Sequence, residues 1–234
     1  MHSVGAIRAF VEAEAPFAFA PSPRPEWKGI LTGILQIDSV TGGVPVGGLT
    51  ELCGSDLASS GKASVLTSLL GQATQKHFCA LVDGADGFDP VSAEQAGANF
   101  SQLLWVRCGK NKTKLGPLEQ AFKAADMLLQ GSGFGLVVVD ISSIAERRVR
   151  SVPLTTWFRF SRIIEKQNTA LVFVEQQAHA TSCAALALWV KSKPATLTGK
   201  LFTEFEIESQ LLRTRDKKPV QNASQKFNLR TQWA

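Results

Sequence analysis

The chain has 234 residues, a length that fits one globular domain with short appendages. Hydrophobic residues make up 44% and charged residues 19%, which excludes an intrinsically disordered chain and allows a sizeable core. The formal charge of +5 and the pI near 9.1 are mildly basic, compatible with nucleic acid or an acidic partner without singling out either.

The four cysteines, Cys53, Cys79, Cys108 and Cys183, lie far apart and make no C-x-x-C pair. That spacing argues against structural zinc, so no metal site is expected. Three of them sit in or beside apolar strand-like runs, where a small buried thiol is the plain reading. Free thiols suit a reducing, cytoplasmic setting. No N-terminal run resembles a signal peptide, and no apolar run reaches the roughly 20 residues needed to span a bilayer. A soluble intracellular protein with no membrane association is expected.

In chain order, Val4, Ile7 and Val11 recur at helical spacing and predict a helix over 1–14, with Phe10 beside the stripe. A linker follows over 15–25, where Pro16, Pro21, Pro23 and Pro25 rule out helix. The predicted organisation is thus 1–25 as helix plus linker and 26–234 as the core domain. Residues 30–46 carry the turn signals Gly33, Gly42, Gly43 and Pro45. Strands are predicted over 49–53, 78–82, 103–106, 136–139 and 170–174. Helices are predicted from Gly61 to Lys76 and over 90–97, 118–129 and 155–166. The runs at 136–139 and 170–174 are continuously apolar, as in strands buried on both faces of a parallel sheet. Strands alternating with helices predict an α/β layered fold with right-handed crossovers. The last segments, 184–190, 202–214 and 224–231, show no intervening helix and predict antiparallel strands added at one edge. No internal repeat is visible.

One segment carries candidate chemistry. Glu51-Leu-Cys-Gly-Ser-Asp-Leu-Ala-Ser-Ser-Gly-Lys-Ala-Ser64 follows a strand and opens a helix. Backbone N–H groups at such a junction can cradle phosphates, and a lysine can reach the terminal ones. Gly54, Ser60, Gly61, Lys62 and Ser64 are the candidate nucleotide contacts. Two features break the pattern G-x-x-x-x-G-K-[ST]. Its first glycine falls on Asp56, and starting at Gly54 makes the loop two residues longer. The magnesium-binding hydroxyl falls on Ala63, and Ser64 points about 100° away around the helix. A Gly/Ser-rich strand-to-helix turn with one exposed lysine fits the segment equally well.

The order of segments from Thr32 to Thr231 resembles the core of the RecA recombinases. Thr32-Gly-Ile-Leu-Gln-Ile-Asp38 and Gly42-Gly-Val-Pro-Val-Gly47 are similar to the start of that core. Ser59-Ser-Gly-Lys62, Ala80-Leu-Val-Asp-Gly-Ala-Asp-Gly-Phe-Asp-Pro90 and Ala96-Gly-Ala-Asn-Phe-Ser-Gln-Leu-Leu104 follow in the family's order. Gly135-Leu-Val-Val-Val-Asp140 resembles the Walker B strand, and Asn168-Thr-Ala-Leu-Val-Phe-Val-Glu-Gln176 the strand ending in a nucleotide-sensing glutamine. The resemblance implies a RecA-like P-loop core with a mostly parallel central sheet. It also implies that Asp140 and Gln176 face the nucleotide, although a polar strand end explains either residue as well.

The departures matter equally. The glutamate that orients the attacking water in the family corresponds here to Ala85, with Asp86 beside it, shorter and offset. The adenine-stacking tyrosine corresponds to Ser92. Phosphoryl transfer rests on positioning and charge stabilisation, so a chain altered at Asp56, Ala63, Ala85 and Ser92 is expected to have little or no ATPase activity. No catalytic residue is assigned; Asp86 and Asp140 are the weak candidates. ATP and magnesium stay open as ligands, and no cofactor is expected with certainty.

The family's first DNA-binding loop corresponds to 144–153, where Arg147, Arg148 and Arg150 could meet phosphates; a solvated surface turn explains them as well. The second loop is reduced to 177–182. Lys110, Lys112 and Lys114 form a further basic loop. Phe17-Ala-Phe-Ala20 matches the F-x-x-A pattern with which relatives dock on a neighbouring copy, or matches it by chance.

A short RecA-like chain with an altered Walker A segment is similar to the ImuA accessory proteins of bacterial mutagenesis cassettes, related to SulA-like proteins. Ser101-Gln-Leu-Leu-Trp-Val-Arg107 and Cys183-Ala-Ala-Leu-Ala-Leu188 carry that likeness. It implies a part in the SOS response to DNA damage, in translesion synthesis with an ImuB-like polymerase subunit and with RecA as partner, and with single-stranded DNA as a further candidate. The alternatives are an active DNA-dependent ATPase of the recombinase class and, from the SulA likeness alone, a cell-division inhibitor.

Overall fold

The computed structural model describes residues 29–55, 60–84, 86–109, 115–131, 133–193, 196–198, 201–214 and 224–230. The predicted helix 1–14 and the linker with Phe17 and Ala20 lie outside the described residues, as do Asp56, Ala85, Lys110, Lys112 and Lys114.

A nine-stranded sheet runs through the centre in the order β11-β10-β8-β3-β7-β6-β4-β5, with β9 (Thr196–Thr198) paired to β10 off that path. Its central strands are β3 (Leu49–Cys53), β4 (Cys79–Asp83), β6 (Leu136–Asp140) and β7 (Ala170–Glu175). Together with the edge strand β5 (Leu103–Arg107) they are parallel neighbours. All five residues of β3 and of β4 are buried, which explains their lack of apolar-polar alternation. β8 (Ala184–Ser192) also runs parallel to β3. The antiparallel edge therefore begins one strand later than the sequence predicts, at β10 (Leu201–Thr214) and β11 (Ser224–Arg230). The reason is the β7–β8 connection. It returns along the sheet as an irregular crossover without an α-helix, so the sequence carries no helical signal between two parallel strands.

Residues 30–46 depart from the turn-rich expectation. Between β1 (Gly29–Ile30) and β2 (Val44–Pro45) lies a helix, α1 (Leu35–Thr41). Asp38 builds its start by accepting from the Thr32 N–H and hydroxyl at 2.8 Å each and from the Gly33 N–H at 3.1 Å. Gly42, at φ 75°, closes it in the left-handed conformation. The glycine signals are thus helix boundaries rather than a continuous loop.

One face of the sheet is covered by α1, α2 (Lys62–Ala73) and α3 (Pro90–Gln95). α2 and α3 approach closely because Gly71 has no side chain; a Cβ there would lie 2.2 Å from the Ala96 carbonyl oxygen. The other face is covered by α4 (Pro117–Gly131) and α6 (Leu154–Ile164). There Phe122, Trp157, Phe160 and Phe173 interlock, with ring centroids 4.8–5.8 Å apart and mostly edge-on. A five-residue helix, α5 (Glu146–Arg150), occupies half of the predicted 144–153 loop. All four cysteines are buried, and none forms a disulfide. Among the described residues, no helix is long and apolar enough to cross a membrane.

Candidate functional site

The carboxyl ends of β3, β4, β6 and β7 come together at one rim of the sheet, where ligands bind in open α/β folds. β3 leads into the loop that opens α2. Gly61 caps this helix at φ 89°, a conformation that favours glycine. The helix N-terminus thus has the context expected of a phosphate cradle.

Lys62 does not reach outward from that cradle. Its side chain is buried, and Nζ donates to the carbonyls of Gly54 and Ser55 at 2.9 Å each and of Glu175 at 3.3 Å. An ammonium has three N–H donors, and three backbone carbonyls match them. The Gly54 N–H in turn donates to the Glu175 carbonyl at 3.3 Å. Lys62 therefore ties the end of β3 to the end of β7. A side chain on Gly54 would strike the Val190 carbonyl at 2.6 Å, and one on Gly61 would strike Ile207 Cδ1 at 2.7 Å. The two ends of the loop are thus hemmed in, Gly54 by β8 and Gly61 by β10.

Ala63, exposed at the second helical position, has no oxygen for magnesium. Ser64 is half-buried one residue on. Ser60 is buried at the loop's end. Asp140 ends β6 beside Asp83 of β4, its register partner. Asp140 accepts from the Ser142 N–H at 2.9 Å, and burial pushes its carboxyl above the usual carboxylate range. Asp83 accepts from the Gly87 and Phe88 N–H groups at 3.0 Å and from Trp105 Nε1 at 3.4 Å. Asp86 is held by a two-point ion pair with Arg107, at 2.6 and 2.9 Å, which lowers its pKa. Gln176 Nε2 donates to the carbonyls of Ser142 at 2.9 Å and Ile144 at 3.3 Å, and so fastens the loop after β6. Ser92 donates to Asp89, the cap of α3, at 2.5 Å.

A profile of the RecA N-terminal domain matches residues 21–151, more than half of the chain. The chain belongs to the RecA family. The RecA protein of Marinobacter nauticus is 31% identical over 145 residues, covering 59% of this chain and 39% of that protein. RecA of Rickettsia africae is 31% identical over 121 residues, or 50% of this chain and 33% of the relative. RecA of Chloroflexus aurantiacus is 27% identical over 192 residues, or 74% and 49%. The chain thus spans between a third and a half of the length of these RecA proteins. The α/β fold with its mostly parallel sheet is as the family resemblance implies.

The RecA-type site is present as architecture, but the described residues do not fit magnesium and ATP well. The lysine is matched by carbonyls, the metal-ligating hydroxyl is a methyl, and Gln176 is turned to the backbone of the next loop. The three arginines are exposed and fan over about 160° of α5, opposite the buried Val149. They lie on a helix that follows the loop leaving the carboxyl end of β6.

Sequence reasoning missed a further group at this rim: Glu51, Glu175 and His179. Glu51, 1% exposed, accepts from the backbone N–H of His179 and of Ala180, both at 2.6 Å. Glu175 is fully buried and meets His179 Nδ1 at 3.0 Å. The signal was a glutamate in each of two fully buried strands, inside Leu-Thr-Glu-Leu-Cys and at the end of Ala-Leu-Val-Phe-Val-Glu. A charge in such a run requires a partner.

Proposed function

We propose that this RecA-family chain is a non-catalytic accessory protein of DNA-damage-induced mutagenesis, which binds protein partners and contacts single-stranded DNA in support. The observation that carries the reading is Lys62. A lysine whose donors are all matched by loop carbonyls serves as a staple, and binding a nucleotide would require breaking those contacts in a buried place. Ala63 removes the hydroxyl that a phosphate-bound magnesium would use.

The partners that the ImuA likeness suggests are RecA and an ImuB-like polymerase subunit, engaged without nucleotide turnover. Phe17 and Ala20 would supply a docking element. Arg147, Arg148 and Arg150 would supply phosphate contacts whose strength falls with salt. The direct test is co-sedimentation of the chain with RecA filaments on single-stranded DNA, paired with an ATP turnover assay of the chain alone. Co-sedimentation with turnover at background supports the proposal. DNA-stimulated turnover by the chain itself would overturn it.

A second reading, a DNA-dependent ATPase, draws on the side-by-side carboxylates of Asp83 and Asp140 at the rim. It requires magnesium-dependent nucleotide binding, which calorimetry on the intact chain measures.

A further inference from the structure

The segment 176–183 joins β7 to β8, and β3 lies between those strands in the sheet. Both neighbours run parallel to β3, so this short segment must travel back across β3. Such crossovers normally take a dozen or more residues and an α-helix, which satisfies its own backbone. Here the backbone donors need other partners, and Ala180 is fully buried. Glu51 meets that need from the middle of β3, with one carboxylate oxygen accepting both the His179 and the Ala180 N–H.

Glu175 holds the same segment through a side chain, Oε2 against His179 Nδ1 at 3.0 Å. Its other oxygen, Oε1, is buried with no hydrogen-bond partner. A buried carboxylate with an unsatisfied oxygen is costly, and a proton cures it by removing the charge. The next residue but one after His179 adds strain. Thr181 has φ 46°, a left-handed conformation that a β-branched residue rarely adopts, and it persists only where the surroundings impose it.

We propose that Glu51, Glu175 and His179 form a proton-operated clamp that holds the 176–183 crossover in its strained position while the Glu175–His179 pair keeps a shared proton, and loosens it when that proton leaves. The proton sits in the Nδ1···Oε2 bond, as imidazolium with carboxylate or as imidazole with carboxylic acid, or on the Glu175 carboxyl where it bonds to Glu51. Its loss to solvent takes the cluster from one negative charge, on Glu51, to two, on Glu51 and Glu175. The two carboxylates then repel each other across the sheet with Glu175 buried. Among the described residues, the titratable and charged groups facing Glu175 are Glu51 and Cys53 of β3, Lys62 of α2 and His179 of its own segment. The Cys53 thiol is pushed far up by burial and by both carboxylates, so it stays neutral. Lys62 is directed to backbone carbonyls, including that of Glu175. Burial, assisted by Glu51, pushes the Glu175 carboxyl up to about 8, and Glu175 raises His179 above its ordinary value.

Amide hydrogen exchange on the full chain tests the clamp. The His179 and Ala180 amides are followed from about pH 6 to about pH 10 and corrected for intrinsic exchange, with far-ultraviolet circular dichroism confirming that the fold persists. An opening that releases one proton predicts protection falling by up to about tenfold per pH unit below about pH 8, where the closed pair still holds its proton, and levelling off above it. In Glu175→Gln, which is neutral at every pH, the protection should be flat. A flat profile in the natural chain, or the same slope in Glu175→Gln, would overturn the proposal. Where Glu175→Gln does not fold, the His179 ring resonances of the natural chain decide, since the chain has three histidines to distinguish. A His179 step displaced above the ordinary imidazole value supports the clamp. Titration at about 6.5 with no alkaline step refutes it.

Discussion

Lys62→Met removes the ammonium and keeps most of the stem. Nζ makes two carbonyl contacts of 2.9 Å and one of 3.3 Å. Of the three acceptors, that of Ser55 is near solvent, and that of Glu175 already accepts from Gly54. The Gly54 carbonyl is the one left buried and bare. A buried acceptor without a partner costs about 1–3 kcal/mol, and a hydrogen bond to a charged group contributes about 1.5–3 kcal/mol net. With the other two partly recovered by water and by Gly54, the loss should be about 2–4 kcal/mol. For a chain of this size each kcal/mol lowers the thermal midpoint by about 2–4 °C.

Urea unfolding followed by tryptophan fluorescence measures the effect, with Trp157 fully inside the core as reporter. The midpoint should fall with the slope unchanged, because the surface exposed on unfolding is the same. A lysine directed toward a ligand would behave differently: truncation would cost affinity and leave the unfolding midpoint in place. A loss below about 0.5 kcal/mol, the size of an ordinary surface change, would refute the staple argument.

Gly61→Ala should destabilise by about 1–3 kcal/mol, since φ 89° and the 2.7 Å approach to Ile207 act together, and Ile207→Val should recover part of that loss in a thermal melt. Gly71→Ala should be more damaging, because the opposing atom is the Ala96 backbone carbonyl and cannot turn aside; soluble yield and thermal midpoint should both fall. Phe173→Ala removes the ring that touches Phe122, Trp157 and Phe160 and should cost about 3–5 kcal/mol by chemical denaturation. In pH dependence, a Glu175 carboxyl raised from 4.5 to about 8 keeps its proton in the folded state where the unfolded chain has lost it. Stability should therefore decline as pH rises from about 4.5 to about 8 and then level off, and Glu175→Gln should flatten the decline in denaturation midpoints measured across that range.

The parallel core was readable because β6 and β7 are unbroken apolar runs and α4 and α6 keep a helical period. α1 was hidden because its boundaries are made by Gly42 and by Asp38 reaching back six residues to Thr32, a contact that turn statistics do not register. The direction of β8 was hidden for a related reason, since its crossover is held by Glu51, a residue more than a hundred positions earlier in the chain. The loop around Lys62 could be recognised as altered from Asp56 and Ala63. That the lysine turns inward became legible only with the end of β7 in place beside it.

These points share a cause. The strand ends at the rim carry backbone groups that need partners. In this chain the same strand ends are joined by its own groups: β3 to β7 by Lys62, β3 to the crossover by Glu51, and β7 to the loop after β6 by Gln176. Each of these side chains is anchored on backbone atoms. A rim closed in this way has its geometry set before any ligand arrives, and a ligand would have to compete with contacts already made in low dielectric, where hydrogen bonds are strong. The residues at these positions thus satisfy, from within the chain, buried backbone that the sheet leaves open at its carboxyl edge.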